Sequence, residues 1–145
     1  MNGRNEIEPE VMEIDEKKKY LKRYLEAERR EERIKEEIQA LRADMMFPNI
    51  VNDGMPKGNE KKDLSEFVII MEEEIEKLKK ERLEKARTRK EIEDRIRKMK
   101  DETEKEVLRE RYIKGMKWEK IALDMNYSWK WIHIIHSRAL ANFKI

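Results

Sequence analysis

Cysteine is absent from this chain, which excludes disulfides and thiolate metal sites and fits a reducing cytoplasm. Aromatic residues make up 7% of the sequence against 47% charged residues, a balance that argues against a large globular core. No apolar run approaches the roughly 20 residues that a membrane-spanning helix needs. The first residues, Met1-Asn-Gly-Arg-Asn-Glu-Ile-Glu-Pro9, lack the apolar core of a signal peptide. A cytoplasmic location without a membrane partner is therefore expected. Glycine and proline are scarce too, at 4 and 3 residues. Helix breakers concentrate in Phe47-Pro-Asn-Ile-Val-Asn-Asp-Gly-Met-Pro-Lys-Gly-Asn59, which reads as a connection between helices.

Charge is what the chain has in abundance. Apolar residues recur among the charges at helical spacing, which favours long exposed helices over disorder. The 145 residues have room for one domain or two small ones. A net charge of +2 hides a split. Residues 1–78 carry 15 basic and 21 acidic side chains, for −6, whereas residues 79–145 carry 20 basic and 12 acidic, for +8. A phosphate backbone attracts only the second half. The plainer reading of the basic stretch 79–100 is a helix solvated by Lys and Arg.

Alternating steps of four and three residues pick out Tyr20, Tyr24, Ala27, Glu31, Ile34, Ile38, Leu41 and Met45 as one heptad seam. The same steps give Leu64, Val68, Met71, Ile75, Leu78, Arg82, Lys85, Arg89, Ile92, Ile96 and Met99. Asp63 with Glu66 reads as a capping box restarting the helix. Paired antiparallel, facing residues should have numbers summing to about 112 or 113. Glu31 then faces Arg82 in a polar layer that fixes register. Lys85 and Arg89 face Ala27 and Tyr24, with their stems on the apolar surface and their heads in water. The same seams also permit a parallel homodimer.

A third helix opens at Thr103-Glu-Lys-Glu106, a second capping box, buries Val107, Leu108, Tyr112 and Ile113, and stops at Gly115. The Leu64 frame runs on to Thr103 without slipping, which leaves open a continuous helix or a break at 99–103. Residues 118–140 then read as a helix-turn-helix. Ile121 and Met125 point inward, and small Ala122 sits where the second helix crosses. Asn126 takes the left-handed turn position, Tyr127 plugs the turn, and Ser128 caps the second helix. Ile132, Ile135 and Ala139 face back to the core. An ordinary helical hairpin is the blander reading. The expected fold is all-α: residues 1–13 disordered or frayed, a long antiparallel coiled-coil-like hairpin over 14–102 with its loop at 46–63, and a helix-turn-helix domain over 103–145.

The stretch from Lys117 to Ala122, with Trp118 and Ile121-Ala122, is followed by Tyr127-Ser128, Trp131-Ile132-His133, His136 and Arg138-Ala139-Leu140. Together they resemble the C-terminal helix-turn-helix of small phage proteins known as ArpU- or RinA-type transcriptional regulators, which are related to region four of sigma factors. The likeness covers about the last 40 residues, and Glu106-Val-Leu-Arg-Glu-Arg-Tyr112 with Gly115 is similar to the helix that precedes the motif in sigma factors. It implies sequence-specific binding to double-stranded DNA and contact with bacterial RNA polymerase. Two positions depart from the pattern: Ile134 stands where relatives carry a basic residue, and Lys117 replaces a Ser or Thr cap.

A recognition helix reads bases with its N-terminal and outward residues. Those are Trp129, Lys130, His133, Ile134 and Ser137, with Arg138 on a phosphate and Ser128 orienting the helix. Trp131 is expected in the core, a wedge against the sugar–phosphate wall being the alternative. His136 is assigned to packing or capping. His133 and His136 are three apart, yet no third ligand accompanies them, and neither a metal nor another cofactor is expected. No phosphate-cradling glycine loop or nucleophile motif is present, and carboxylate runs such as Glu72-Glu-Glu74 lie on a solvated face, so an enzyme is not expected. Two other classes compete with a transcriptional regulator. One is a packaging or assembly protein such as a small terminase subunit, and the other is a helical interaction protein.

Overall fold

The computed structural model describes residues 9–46 and 60–145, and all of its regular structure is helical. Helix α1 spans Pro9–Met46 and α2 spans Glu60–Arg97, 38 residues each. They are followed by α3 (Glu102–Leu108), a wider π turn (Arg109–Ile113), α4 (Trp118–Met125) and α5 (Trp129–Asn142). The fold is a long helical hairpin followed by shorter helices, as the heptad stepping predicts. Proline sits at the first position of α1, where its missing N–H is not needed. Residues 9–13 are helical, and α2 starts at Glu60, so the Asp63 position lies inside the helix. The proposed connection at 46–63 shrinks accordingly; its residues 47–59 lie outside the described residues, as do residues 1–8.

The chain divides into two compact units, one containing residues up to Glu26 with Ala86–Ile145, the other Ala27–Lys85. The base of the hairpin lies in the same unit as the C-terminal helices and shares a core with them. In that core Leu21, Tyr24, Ile92, Ile96 and Met99 pack with Leu108, Tyr112, Ile113, Ala139, Leu140 and Phe143. Helix α1 therefore carries two stripes here. Tyr20 and Tyr24 follow the heptad seam, while Ile14, Lys17, Leu21 and Leu25, three or four residues apart, form a second face. Lys17 is buried and its ammonium donates to the carbonyls of Leu140 (3.0 Å) and Ala141 (3.4 Å), satisfying the C-terminal end of α5. Arg23 bonds Glu91 at 2.9 Å, and the Arg89 guanidinium lies 5.7 Å from the centre of the Tyr24 ring, as the register requires.

Within the second unit the register is the expected one. Glu31 meets Arg82 at 3.3 Å and Arg30 meets Glu81 at 2.7 Å. Ala27, Glu31 and Ile38 are buried, and Ile34, Leu41, Met71, Ile75 and Leu78 are half-buried. Lys85 departs from expectation: its ammonium lies against Glu31 instead of in water. Its four-carbon stem spans about one helical turn, enough to reach the buried carboxylate. Leu64, Val68, Ile69, Ile70 and Leu83 are exposed on α2.

A break at 98–101 separates α2 from α3. The cap of α3 is Asp101, whose carboxylate accepts from the Glu104 N–H at 2.9 Å, and Thr103 lies inside the helix. Aspartate is among the strongest N-caps, and it comes first in the chain. In the π turn that follows, the Lys114 N–H reaches back five residues to the Arg109 carbonyl at 2.9 Å. That wider turn brings Leu108 and Ile113 onto one buried side with Tyr112. Gly115 ends the segment at φ +69°, in the left-handed region where glycine is unstrained.

Candidate nucleic-acid interface

Helices α4 and α5 form the expected helix-turn-helix. Asn126 adopts φ 59° and ψ 37°, and its neighbour Tyr127 donates to the Ala122 carbonyl at 3.0 Å, closing the turn. Ser128 caps α5 by accepting from the Trp131 N–H at 3.1 Å. Lys117 gives α4 no side-chain cap. Val107, Ile121, Ala122, Ile132 and Ile135 form a buried cluster with Met116, Trp118 and Met125 packed against it. This core fixes the angle between the two helices and leaves one side of α5 to solvent.

The outward side carries Ser128, Trp129, Lys130, Ser137 and Arg138, all exposed, with Ile134 half-buried beside them. Two aromatic assignments need correction. Tyr127 is 39% exposed and does not plug the turn. Trp131 is 38% exposed rather than in the core, and the Arg138 guanidinium stacks 5.3 Å from its ring centre. The Ser137 hydroxyl donates to the His133 carbonyl at 3.0 Å, a bond within its own helix.

His133 is less available than the spacing implies. Its ring lies 4.0 Å from that of Trp129 and 4.8 Å from that of Trp118, and its buried Nε2 has no hydrogen-bond partner among the described residues. Trp118 continues the stack to His136 at 4.5 Å, and Arg111 covers the Trp118 ring at 4.6 Å. His136 is buried and its Nε2 is 2.8 Å from the Tyr112 hydroxyl. Burial, with nearby positive charge, pushes His136 down to about 4, so it is neutral near pH 7. Burial likewise pushes the Tyr112 hydroxyl up to about 12, which keeps its proton available to the imidazole. A continuous aromatic ladder thus ties the exposed Trp129 to the start of α4 and to the π turn. Sequence reasoning missed Trp118 and Arg111 as its middle. The clue was present: two histidines three apart on α5 need a partner broad enough to touch both, and Trp118 opens the neighbouring helix.

A family model matches residues 40–143. The chain belongs to DUF1492, a family described as being of unknown function. The matched span takes in the end of α1, all of α2 and the helix-turn-helix. No curated protein and no solved structure matches the chain.

Among the described residues no three metal-ligating side chains come together, and no helix is long and apolar enough to cross a membrane. At the far end of α5 from Ser128, Arg95, Lys98, Lys100 and Lys144 line a cleft. The acidic groups there are already engaged: Asp101 caps α3, and both Glu104 oxygens accept from the Asn142 amide at 3.0 and 3.1 Å. The cleft therefore presents an excess of positive charge.

Proposed function

We propose that this protein is a non-catalytic, phage-type transcriptional regulator that binds duplex DNA sequence-specifically through α5 in the cytoplasm. The observation that carries the reading is the helix-turn-helix itself: a left-handed turn at Asn126, a capped second helix, a buried inner side and an exposed outer side bearing Lys130 and Arg138. An α-helix fits the major groove, and its N-terminal residues reach base edges. Lys130 and Arg138 are assigned to phosphates. Trp129, held against His133, offers a rigid apolar surface at the groove, and Ile134 can meet a thymine methyl but cannot donate to guanine. His133 becomes a positioning residue for Trp129 and not a base reader. The likeness to sigma-factor region four adds RNA polymerase as a protein partner to this proposal.

The test is a titration of duplex DNA at several salt concentrations. Lys130→Ala with Arg138→Ala should weaken binding and flatten the salt dependence by roughly one unit of slope per lost phosphate contact. An unchanged affinity and slope in the folded double variant would remove α5 from the interface.

A further inference from the structure

We infer that the basic cleft between the break at 98–101 and the C-terminal end of α5 grips the phosphate backbone of the duplex, beyond the groove that α5 enters. The inference rests on the DNA-binding reading of α5 and adds a second contact to it. The break is pinned from within: Met99 is buried and its N–H donates to the Ile96 carbonyl at 3.0 Å, while Lys98 and Lys100 on either side of it are exposed. Arg95 is fixed beside them, its guanidinium donating to the Tyr20 hydroxyl at 2.7 Å and to the Lys144 carbonyl at 3.3 Å. With Lys144 these side chains line a cleft of about 500 Å³. Neighbouring cations are neutralised, Lys90 and Arg97 by Asp94, Lys105 by Glu102 and Arg109 by Glu93. Arg95, Lys98, Lys100 and Lys144, by contrast, form no ion pair among the described residues. The two carboxylates in the cleft are hydrogen-bonded within the fold, Asp101 to the start of α3 and Glu104 to Asn142.

The cleft stands in line with the recognition helix. Arg138 stacks over Trp131, and Asn142 follows four residues later on the same side of α5, about 6 Å further along its axis. The Asn142 amide bonds Glu104 at the cleft wall. A helix that reads bases with its N-terminal residues can carry its C-terminal end onto the sugar–phosphate backbone. Cations on the Arg138 side of that end then meet successive phosphates, spaced by about 3.4 Å of duplex axis on each strand. The lining also decides which source of phosphate fits. Among the described residues it includes no aromatic ring on which a base could stack, and Met99 is its one apolar side chain. A free nucleotide would find charge there and nothing for its base. A duplex keeps its bases stacked inside and presents phosphates alone.

Titration of duplex DNA with the full chain at several salt concentrations tests the inference, with circular dichroism confirming that each variant stays helical. Lys98→Ala with Lys100→Ala should weaken binding about tenfold and flatten the salt slope by roughly two units, one per lost phosphate contact. The loss should be alike on preferred and unrelated sequences, because backbone contacts carry no base information. Lys98→Arg with Lys100→Arg keeps the charge and should keep the slope. Shortening the duplex around the bound sequence should erase the gap between the wild type and the double-alanine variant before it erases binding. Unchanged affinity and slope in that variant, while Lys130→Ala with Arg138→Ala still flattens the slope, would overturn the inference and leave α5 as the reader. A wild type that binds no duplex would remove α5 and the cleft together. ATP bound by the wild type and lost in the double-alanine variant, with duplex binding unaffected, would overturn it in favour of a small-ligand site.

Discussion

Glu31 offers the sharpest test of how the hairpin is held. Its carboxylate is buried in the seam and faces three cations, Lys85, Lys35 at 3.0 Å and Arg82 at 3.3 Å. The hydrogen bond from Lys85, with those from Lys35 and Arg82, outweighs burial and holds Glu31 down at about 2, against an ordinary 4.5. A shift of that size corresponds to about 3 kcal/mol. The cations range from a quarter to more than half exposed, so screening reduces the contribution to about 1–3 kcal/mol. Because the folded-state value is depressed, this stability is present above the ordinary carboxylate range and is lost as pH falls from about 4.5 towards 2. Glu31→Gln keeps the shape and removes the charge. Urea unfolding followed by helical signal should show the variant less stable by about 1–3 kcal/mol at neutral pH, with the gap falling by more than half near pH 3. A gap that stays constant across that range would refute the assignment, since only a charged Glu31 can lose it on acidification. A substitution to leucine is a different experiment: replacing a buried ion cluster by apolar packing can stabilise.

His136 titrates in the opposite sense chemically but with the same direction of loss. Its neutral form is the buried one, so stability should fall as pH drops from about 6.5 to 4, by up to about 3 kcal/mol, and His136→Gln should flatten that slope in thermal melts. At Gly115 a side chain meets both a left-handed φ and the Leu25 methyl groups, with a Cβ 3.3 Å from the nearest, so Gly115→Ala should destabilise by about 1–3 kcal/mol in the same melts. Asn126→Gly should be neutral within about 0.5 kcal/mol, whereas Asn126→Val should cost about 1–3 kcal/mol, because a β-branched residue cannot adopt φ 59° without strain.

Periodicity alone determined most of the architecture. Steps of four and three residues located both long helices, and the meeting of Glu31 with Arg82 followed from matching one polar interruption to the other. The helix-turn-helix was legible because its constraints are local: a left-handed turn at Asn126, a cap at Ser128 and an apolar spacing that buries Ile121, Ala122, Ile132 and Ile135. Tertiary structure decided what periodicity could not rank. Leu21 and Lys17 lie outside the heptad seam, and they are buried only because the C-terminal helices cover a second side of α1. Trp131 and Tyr127 were expected to face inward, but the buried cluster of this module is made by Val107, Ile121, Ala122, Ile132 and Ile135, and both rings remain at the surface. His133 sat on the outward side by spacing, yet Trp118 from the neighbouring helix closes over it together with Trp129 one turn away on its own helix. The common reason is that spacing places a side chain on a face, while burial depends on what else reaches that face, and here the deciding partners are long-range.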